Sequence, residues 1–215
     1  RHEIDSVSTS KGPRVILVAS SLPGEGKTMI SSNLAHHYAA SGLRTLLIDG
    51  DMRRANLTRT LGITDGAGLL DVLSGAVDPV SALLHDPKSA LYVLPALQSR
   101  ASQFSPPEAL SSPALARTLA HLKQYFDVII VDAPPLLPVV DGRILADHAD
   151  QIVMTFVWRK TPKKLAKRAL KSLGANIDKI AGIIANKVAA GEMTDSFGYG
   201  YNGSHGGPMR PHRAA

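Results

Sequence analysis

Short apolar runs alternate along this chain with stretches whose apolar positions recur every three or four residues. The runs at residues 15–19, 45–49, 91–95, 128–132, 151–157 and 180–185 are rich in Val, Ile and Leu with little polar alternation, the pattern of strands buried on both faces. Helical spacing falls between them. It covers 28–41 before Gly42, 114–125, 140–148, and 162–173 before Gly174, with a short helix over 68–75 closed by its own glycine. Repeated strand-then-helix order predicts an α/β fold, a mostly parallel central sheet flanked by helices with right-handed crossovers. The pattern stops near Ala190. From there Gly191, Gly198, Gly200, Gly203, Gly206, Gly207, Pro208 and Pro211 leave little to bury, so residues 1–189 are expected to fold and 190–215 to form a disordered tail.

The junction of the first strand with the first helix carries the most specific chemistry. Ser20-Ser21-Leu22-Pro23-Gly24-Glu25-Gly26-Lys27-Thr28 leaves an apolar run and enters a helical stretch, and it reads as a phosphate-binding loop. Gly24 and Gly26 let backbone N–H groups turn inward, and the helix start adds the positive end of its dipole, which together make an anion cradle. Lys27 is placed to reach the β- and γ-phosphates, and the Thr28 hydroxyl to ligate Mg²⁺. Ser21 stands where the G-x-x-x-x-G-K-[ST] pattern has its first glycine.

Such a loop needs carboxylates for the metal and for the nucleophile. Two further runs supply them, Thr45-Leu46-Leu47-Ile48-Asp49-Gly50-Asp51-Met52-Arg53 and Asp127-Val128-Ile129-Ile130-Val131-Asp132-Ala133-Pro134-Pro135. Ligands bind at the C-terminal edge of an open α/β sheet, so Asp132 is expected at the Mg²⁺. Asp49 and Asp51, two apart on an extended strand end, are expected on one face, one acting on the metal and the other accepting a hydroxyl proton. The alternative for Asp49 is that it caps a helix or turn. Arg53 and Arg54 are candidates for neutralising charge during phosphoryl transfer.

Composition narrows the remaining choices. A chain of 215 residues with 44% hydrophobic content suits one α/β domain. The absence of cysteine excludes disulfides and thiol chemistry. No apolar run approaches the roughly 20 residues of a membrane span. Histidines show no ligand spacing, His36 and His37 being adjacent, which speaks against a transition-metal site. The net charge of +6 is concentrated in Arg159, Lys160, Lys163, Lys164, Lys167, Arg168 and Lys171, with no acid among them and Leu165, Ala169 and Leu173 on the opposite stripe. That pattern predicts an amphipathic helix whose basic face is either solvated or drawn to anionic lipid. Nucleic acid is not expected, because no aromatic platform accompanies the charge.

Taken as a set, the segments 20–28, 47–54 and 129–135 resemble the Walker A, Walker A′ and Walker B motifs of the bacterial tyrosine autokinases that control capsule and exopolysaccharide export. The resemblance extends through 68–75, through Ser105-Pro106-Pro107-Glu108-Ala109-Leu110 and to Asp141. It implies a P-loop NTPase fold, ATP and Mg²⁺ as cofactors, and phosphoryl transfer to tyrosine. Nucleotide contacts are implied for Pro23, Gly24, Glu25, Gly26, Lys27, Thr28, Met29 and Asn186, metal contacts for Thr28, Asp49 and Asp132, and catalytic roles for Lys27, Asp49, Asp51 and Arg53. A ring-like homo-oligomer is implied as well, with a polysaccharide co-polymerase or adaptor, in the same or a separate chain, at the cytoplasmic side of the inner membrane. The family ends in a dense tyrosine cluster; here Tyr199 and Tyr201, flanked by glycine, are the expected phosphoacceptors. Two other readings compete. Partition and septum-site ATPases share the architecture but carry a signature lysine five residues before the loop lysine, where this chain has Leu22. A non-catalytic ATP-binding regulatory module would not need the retained Lys27, Asp49, Asp51 and Asp132.

Overall fold

The computed structural model describes residues 12–86, 88–97 and 105–189. Tyr199, Tyr201 and the expected tail lie outside the described residues. Among those described, the strands β1 (Arg14–Ser20), β2 (Thr45–Asp49), β3 (Leu84–Asp86), β4 (Leu91–Leu94), β5 (Val128–Asp132), β6 (Gln151–Val157) and β7 (Ile180–Asn186) form one sheet in the order β3-β4-β2-β5-β1-β6-β7. All pairings are parallel except that of β3 with β4. The unalternated apolar runs follow from burial on both faces. In β1, Val15, Leu17 and Ala19 enter one core while Ile16 and Val18 enter the other, and β2 and β5 divide their side chains in the same way. Each such Val, Leu or Ile side chain contributes roughly 1.5–3 kcal/mol on burial, so the central strands are the most firmly placed.

Helix α1 (Lys27–Ala40) covers one face through Ala35, Tyr38 and Ala39, joined by Leu57 of α2 (Asn56–Thr60). The other face is covered by α3 (Leu69–Leu73), α4 (Pro106–Ser111), α5 (Pro113–Leu122), α6 (Asp141–Asp147) and α7 (Lys163–Ser172). The result is the three-layer α/β arrangement with a mostly parallel sheet that the strand-then-helix order predicts.

The elements absent from the sequence reading are all short. β3 has three residues, α2 five and α4 six, and none spans enough positions to show a period. α4 is specified by its cap instead: Glu108 Oε2 accepts the Ser105 backbone N–H at 2.9 Å, and Pro106 stands at the first helical position. α5 ends at Leu122, three residues before the predicted end, because residues 123–125 form a turn. Gly174 closes α7 as predicted, with φ of 57°, and opens a 3₁₀ turn over Gly174–Lys179.

Candidate active site

The loop between β1 and α1 turns on two glycines. Gly24 and Gly26 have φ of 80° and 91°, the left-handed region that side chains disfavour. At Gly26 a Cβ would also run into the Asn186 side-chain amide. Ser21 is different: it is fully buried and does not have positive φ, so the loop accommodates a side chain where the pattern has glycine.

Glu25 organises the loop from within. Its buried carboxylate accepts the Leu22 N–H at 2.9 Å and the Thr161 hydroxyl, while its carbonyl accepts the Thr155 hydroxyl at 2.9 Å and the Asn186 amide at 3.0 Å. Lys187, at φ of 58°, donates Nζ to the Gly24 carbonyl at 2.9 Å. The ends of β6 and β7 therefore brace the loop. Asn186, implied at the nucleotide, here holds the backbone that would cradle one.

Parallel register sets Asp49 of β2 beside Asp132 of β5, and the alternation of each strand turns both toward the α1 layer. Asp132 is fully buried, and neither of its carboxylate oxygens has a hydrogen-bond partner. Burial pushes its pKa up to about 6, against the opposing pull of Lys27 and of the Thr28 and Ser31 hydroxyls nearby. An ionised carboxylate so placed is unfavourable, and Lys27 offsets its burial only in part.

Asp51 departs from the expected geometry. β2 stops at Asp49, and the Asp51 N–H folds back onto Asp49 Oδ1 at 3.1 Å, so a turn carries Asp51 and not an extended strand end. That turn brings Asp51 Oδ2 to 3.7 Å from Lys27 Nζ. The oxygen is buried and has no hydrogen-bond donor, while Oδ1 accepts the Arg54 N–H at 3.2 Å.

Asp49 also caps, as its alternative reading has it. Besides the Asp51 N–H, it accepts the Thr58 N–H at 2.9 Å and the Thr58 hydroxyl at 2.8 Å through Oδ2, which ties α2 to the end of β2. Burial raises its pKa, and these hydrogen bonds oppose the rise. Thr58 Oγ1 in turn accepts the Ala96 N–H at 2.8 Å. Thr58→Val leaves both the Asp49 oxygen and the Ala96 N–H short of a partner, and an expected loss of about 2–4 kcal/mol follows. The urea midpoint checks it, with Thr58→Ser, which keeps the hydroxyl, close to wild type.

Arg53 is held by Asp141 at the start of α6, through Nε at 2.6 Å and Nη2 at 3.3 Å. The pair ties the Asp51 turn to that helix, and Arg54 stays exposed. Gly50 between the two aspartates is required by close approach, since a Cβ there would meet Leu145 at 2.8 Å and the Asp132 carbonyl at 3.1 Å. A cavity of about 450 Å³ opens beside the loop between α1 and α2, lined by residues that include Lys27, Thr28, Met29, Asn33 and Asn56. Met29 is exposed in its lining, and Pro23, on the loop before it, is exposed as well. Sequence reasoning missed Ser31, Thr58 and Thr161. Ser31 could have been found, lying one helical turn from Lys27 and Thr28; Thr161 meets Glu25 across 136 positions, which no local pattern signals.

Parallel strands that deliver acidic ends to a glycine loop, with a lysine at the helix start, are the arrangement of P-loop NTPases. Sequence relatives narrow that class. Residues 13–189 match the AAA domain family. The chain is 32% identical to the tyrosine-protein kinase CpsD of Streptococcus pneumoniae, over 90% of this chain and 84% of that one. It is 36% identical to the succinoglycan biosynthesis transport protein ExoP of Rhizobium meliloti over 88% of this chain, but spans only 24% of ExoP. The solved VpsO kinase domain matches with a TM-score of 0.78 at 30% identity, over 87% of this chain and 91% of that one. The chain belongs to the bacterial tyrosine kinase family, as its three motifs lead one to expect.

Proposed function

We propose that this domain transfers the terminal phosphoryl group of ATP to tyrosine as the kinase of an exopolysaccharide or capsule export system. One observation carries the reading: Lys27 Nζ lies 3.7 Å from Asp51 Oδ2, and that oxygen and both oxygens of Asp132 are buried without donors. Open carboxylate lone pairs fit a divalent cation and a proton acceptor, and the adjoining glycine loop fits a polyphosphate, so the residues present suit ATP and Mg²⁺. Bound Mg²⁺ supplies positive charge at the phosphate oxygens.

Thr28 and Asp132 would hold that ion, and residues 23–29 with Asn186 would frame the nucleotide. A phenol has a pKa near 10 and is protonated at neutral pH, so a carboxylate acceptor is useful. Asp51 Oδ2 is the acceptor assigned here. The bond from the tyrosine oxygen to phosphorus forms as the bond from phosphorus to the ADP oxygen breaks, and the phenol proton passes to Asp51. Asp49, whose oxygens already accept three hydrogen bonds, positions Asp51 and α2. Lys27 neutralises charge on the phosphate oxygens, and Arg53, whose charge is largely balanced by Asp141, acts by fixing the turn that carries Asp51. A homo-oligomeric ring, a co-polymerase or adaptor partner and a place at the cytoplasmic side of the inner membrane belong to the same reading. The name of ExoP, a succinoglycan biosynthesis transport protein, supports the link to polysaccharide export.

The test mixes a Lys27→Met chain bearing its tail with an active chain ending at Ala190, in ATP and Mg²⁺, and maps phosphotyrosine by mass spectrometry. Label on Tyr199 or Tyr201 of the inactive chain is expected. Hydrolysis of ATP with no phosphotyrosine anywhere overturns the kinase reading and favours the positioning ATPase.

A further inference from the structure

Helix α7 takes no part in the site, yet it holds the chain's densest charge. Lys160, Lys163, Lys164, Lys167, Arg168 and Lys171 are all exposed, whereas Ala169 and Leu173 on the other side are buried in the core. From Lys163 to Lys171 the row runs about 12 Å at 1.5 Å per residue. None of the six forms an ion pair among the described residues, and no Asp or Glu occurs between residues 151 and 177.

Like charges at i,i+4, as in Lys163 with Lys167, Lys164 with Arg168 and Lys167 with Lys171, disfavour the helix that carries them. A face needed only for solubility would intersperse acids, which relieve that repulsion. Counter-charge from outside relieves it equally well. Among the sources of such charge, a nucleic acid would be met by stacking aromatics or base-reading polar groups beside the cations. The exposed side chains of α7 itself are Lys and Arg alone, and the neighbouring aromatic, Trp158, is half-buried with Arg159 over its ring. A straight row of flexible cations suits a flat, continuous anionic field instead.

We propose that the exposed basic face of α7 docks on the headgroups of an anionic lipid bilayer. The consequence for the active site is geometric. Thr161, between Lys160 and the start of α7, donates to the Glu25 carboxylate of the phosphate-binding loop, so docking through α7 holds that loop's edge of the sheet near the membrane. The inference rests on the charge and exposure of α7 and does not depend on the tyrosine-kinase reading.

The experiment sediments the full chain with phosphatidylcholine vesicles, with and without phosphatidylglycerol, at low and high salt. It compares wild type with Lys164→Gln/Lys167→Gln/Lys171→Gln. Binding is expected only to the phosphatidylglycerol vesicles, weakened by salt and about a hundredfold weaker in the triple variant, since each basic residue near an anionic surface is worth about a factor of five. Circular dichroism and ATP turnover of the variant in solution should match wild type, which separates lost docking from lost folding. The proposal is overturned by equal binding to neutral vesicles, by a variant that binds like wild type, or by tighter binding to duplex DNA than to phosphatidylglycerol vesicles.

Discussion

Lys27→Met is expected to lower phosphoryl transfer by at least about a hundredfold to a thousandfold, the range for removing one preorganised donor aimed at developing negative charge. Gly24 and Gly26 hold backbone angles that turn the chain around a small anion, and α1 starts at Lys27 itself, so its ammonium stands at the mouth of the cradle, whereas that of Lys187 is engaged with the Gly24 carbonyl. It stands 3.7 Å from Asp51 Oδ2 and beside Asp132, between the two carboxylates assigned to proton and metal. Methionine keeps a straight apolar stem of similar length, so packing around this buried position survives. What disappears is the charge. Lys27→Arg separates charge from geometry: its planar fork retains the positive charge but not the compact point charge, and its turnover should stay well below wild type. Measurement of tyrosine phosphorylation and ATP turnover, with circular dichroism to confirm folding, checks both. Wild-type turnover in Lys27→Met removes Lys27 from the site.

The parts of this site legible in the sequence are those whose geometry is local. The loop is contiguous, and the two acidic strand ends are delivered by parallel strands whose apolar runs admit little other arrangement. Asp132 therefore stands where its strand predicts. Asp51 does not, because the Asp49 side chain captures the Asp51 N–H and converts an extended end into a turn; alternation along a strand says nothing of a side chain competing for the backbone. The same limit hid α2. Five residues have no readable period, and its anchor, the Thr58 hydroxyl between Asp49 and the Ala96 N–H, joins three segments that only the folded sheet brings together. Arg53 illustrates a third case. Its position after the acidic pair made it a candidate for transfer chemistry, and its bond to Asp141, 88 residues away, shows that it also anchors the turn.

Asp132→Asn should stabilise the metal-free protein at neutral pH while removing its response to Mg²⁺. Asp132 is buried at the end of β5 without a hydrogen-bond donor, and its pKa rises from the ordinary 3.8 to about 6. A carboxyl whose folded value lies above its unfolded value favours folding in its protonated form. Its contribution is complete below about pH 4, is lost as pH rises toward 6, and stays lost at neutral pH. The separation of the two values corresponds to roughly 3 kcal/mol, an upper bound for what neutralising the group returns. Asparagine keeps the shape and cannot ionise, so a gain of about 1–3 kcal/mol is expected at neutral pH, shrinking toward zero near pH 4. The gain is bought with function, because the neutral amide is a poor ligand for a hard divalent cation. Urea unfolding at both pH values, with and without Mg²⁺ and ATP, reads the two effects separately. Wild type should gain stability from Mg²⁺ and ATP together, and Asp132→Asn should gain far less. A variant less stable than wild type at neutral pH without metal, or one that responds to Mg²⁺ as wild type does, shows that the buried carboxylate is not held in reserve for a cation.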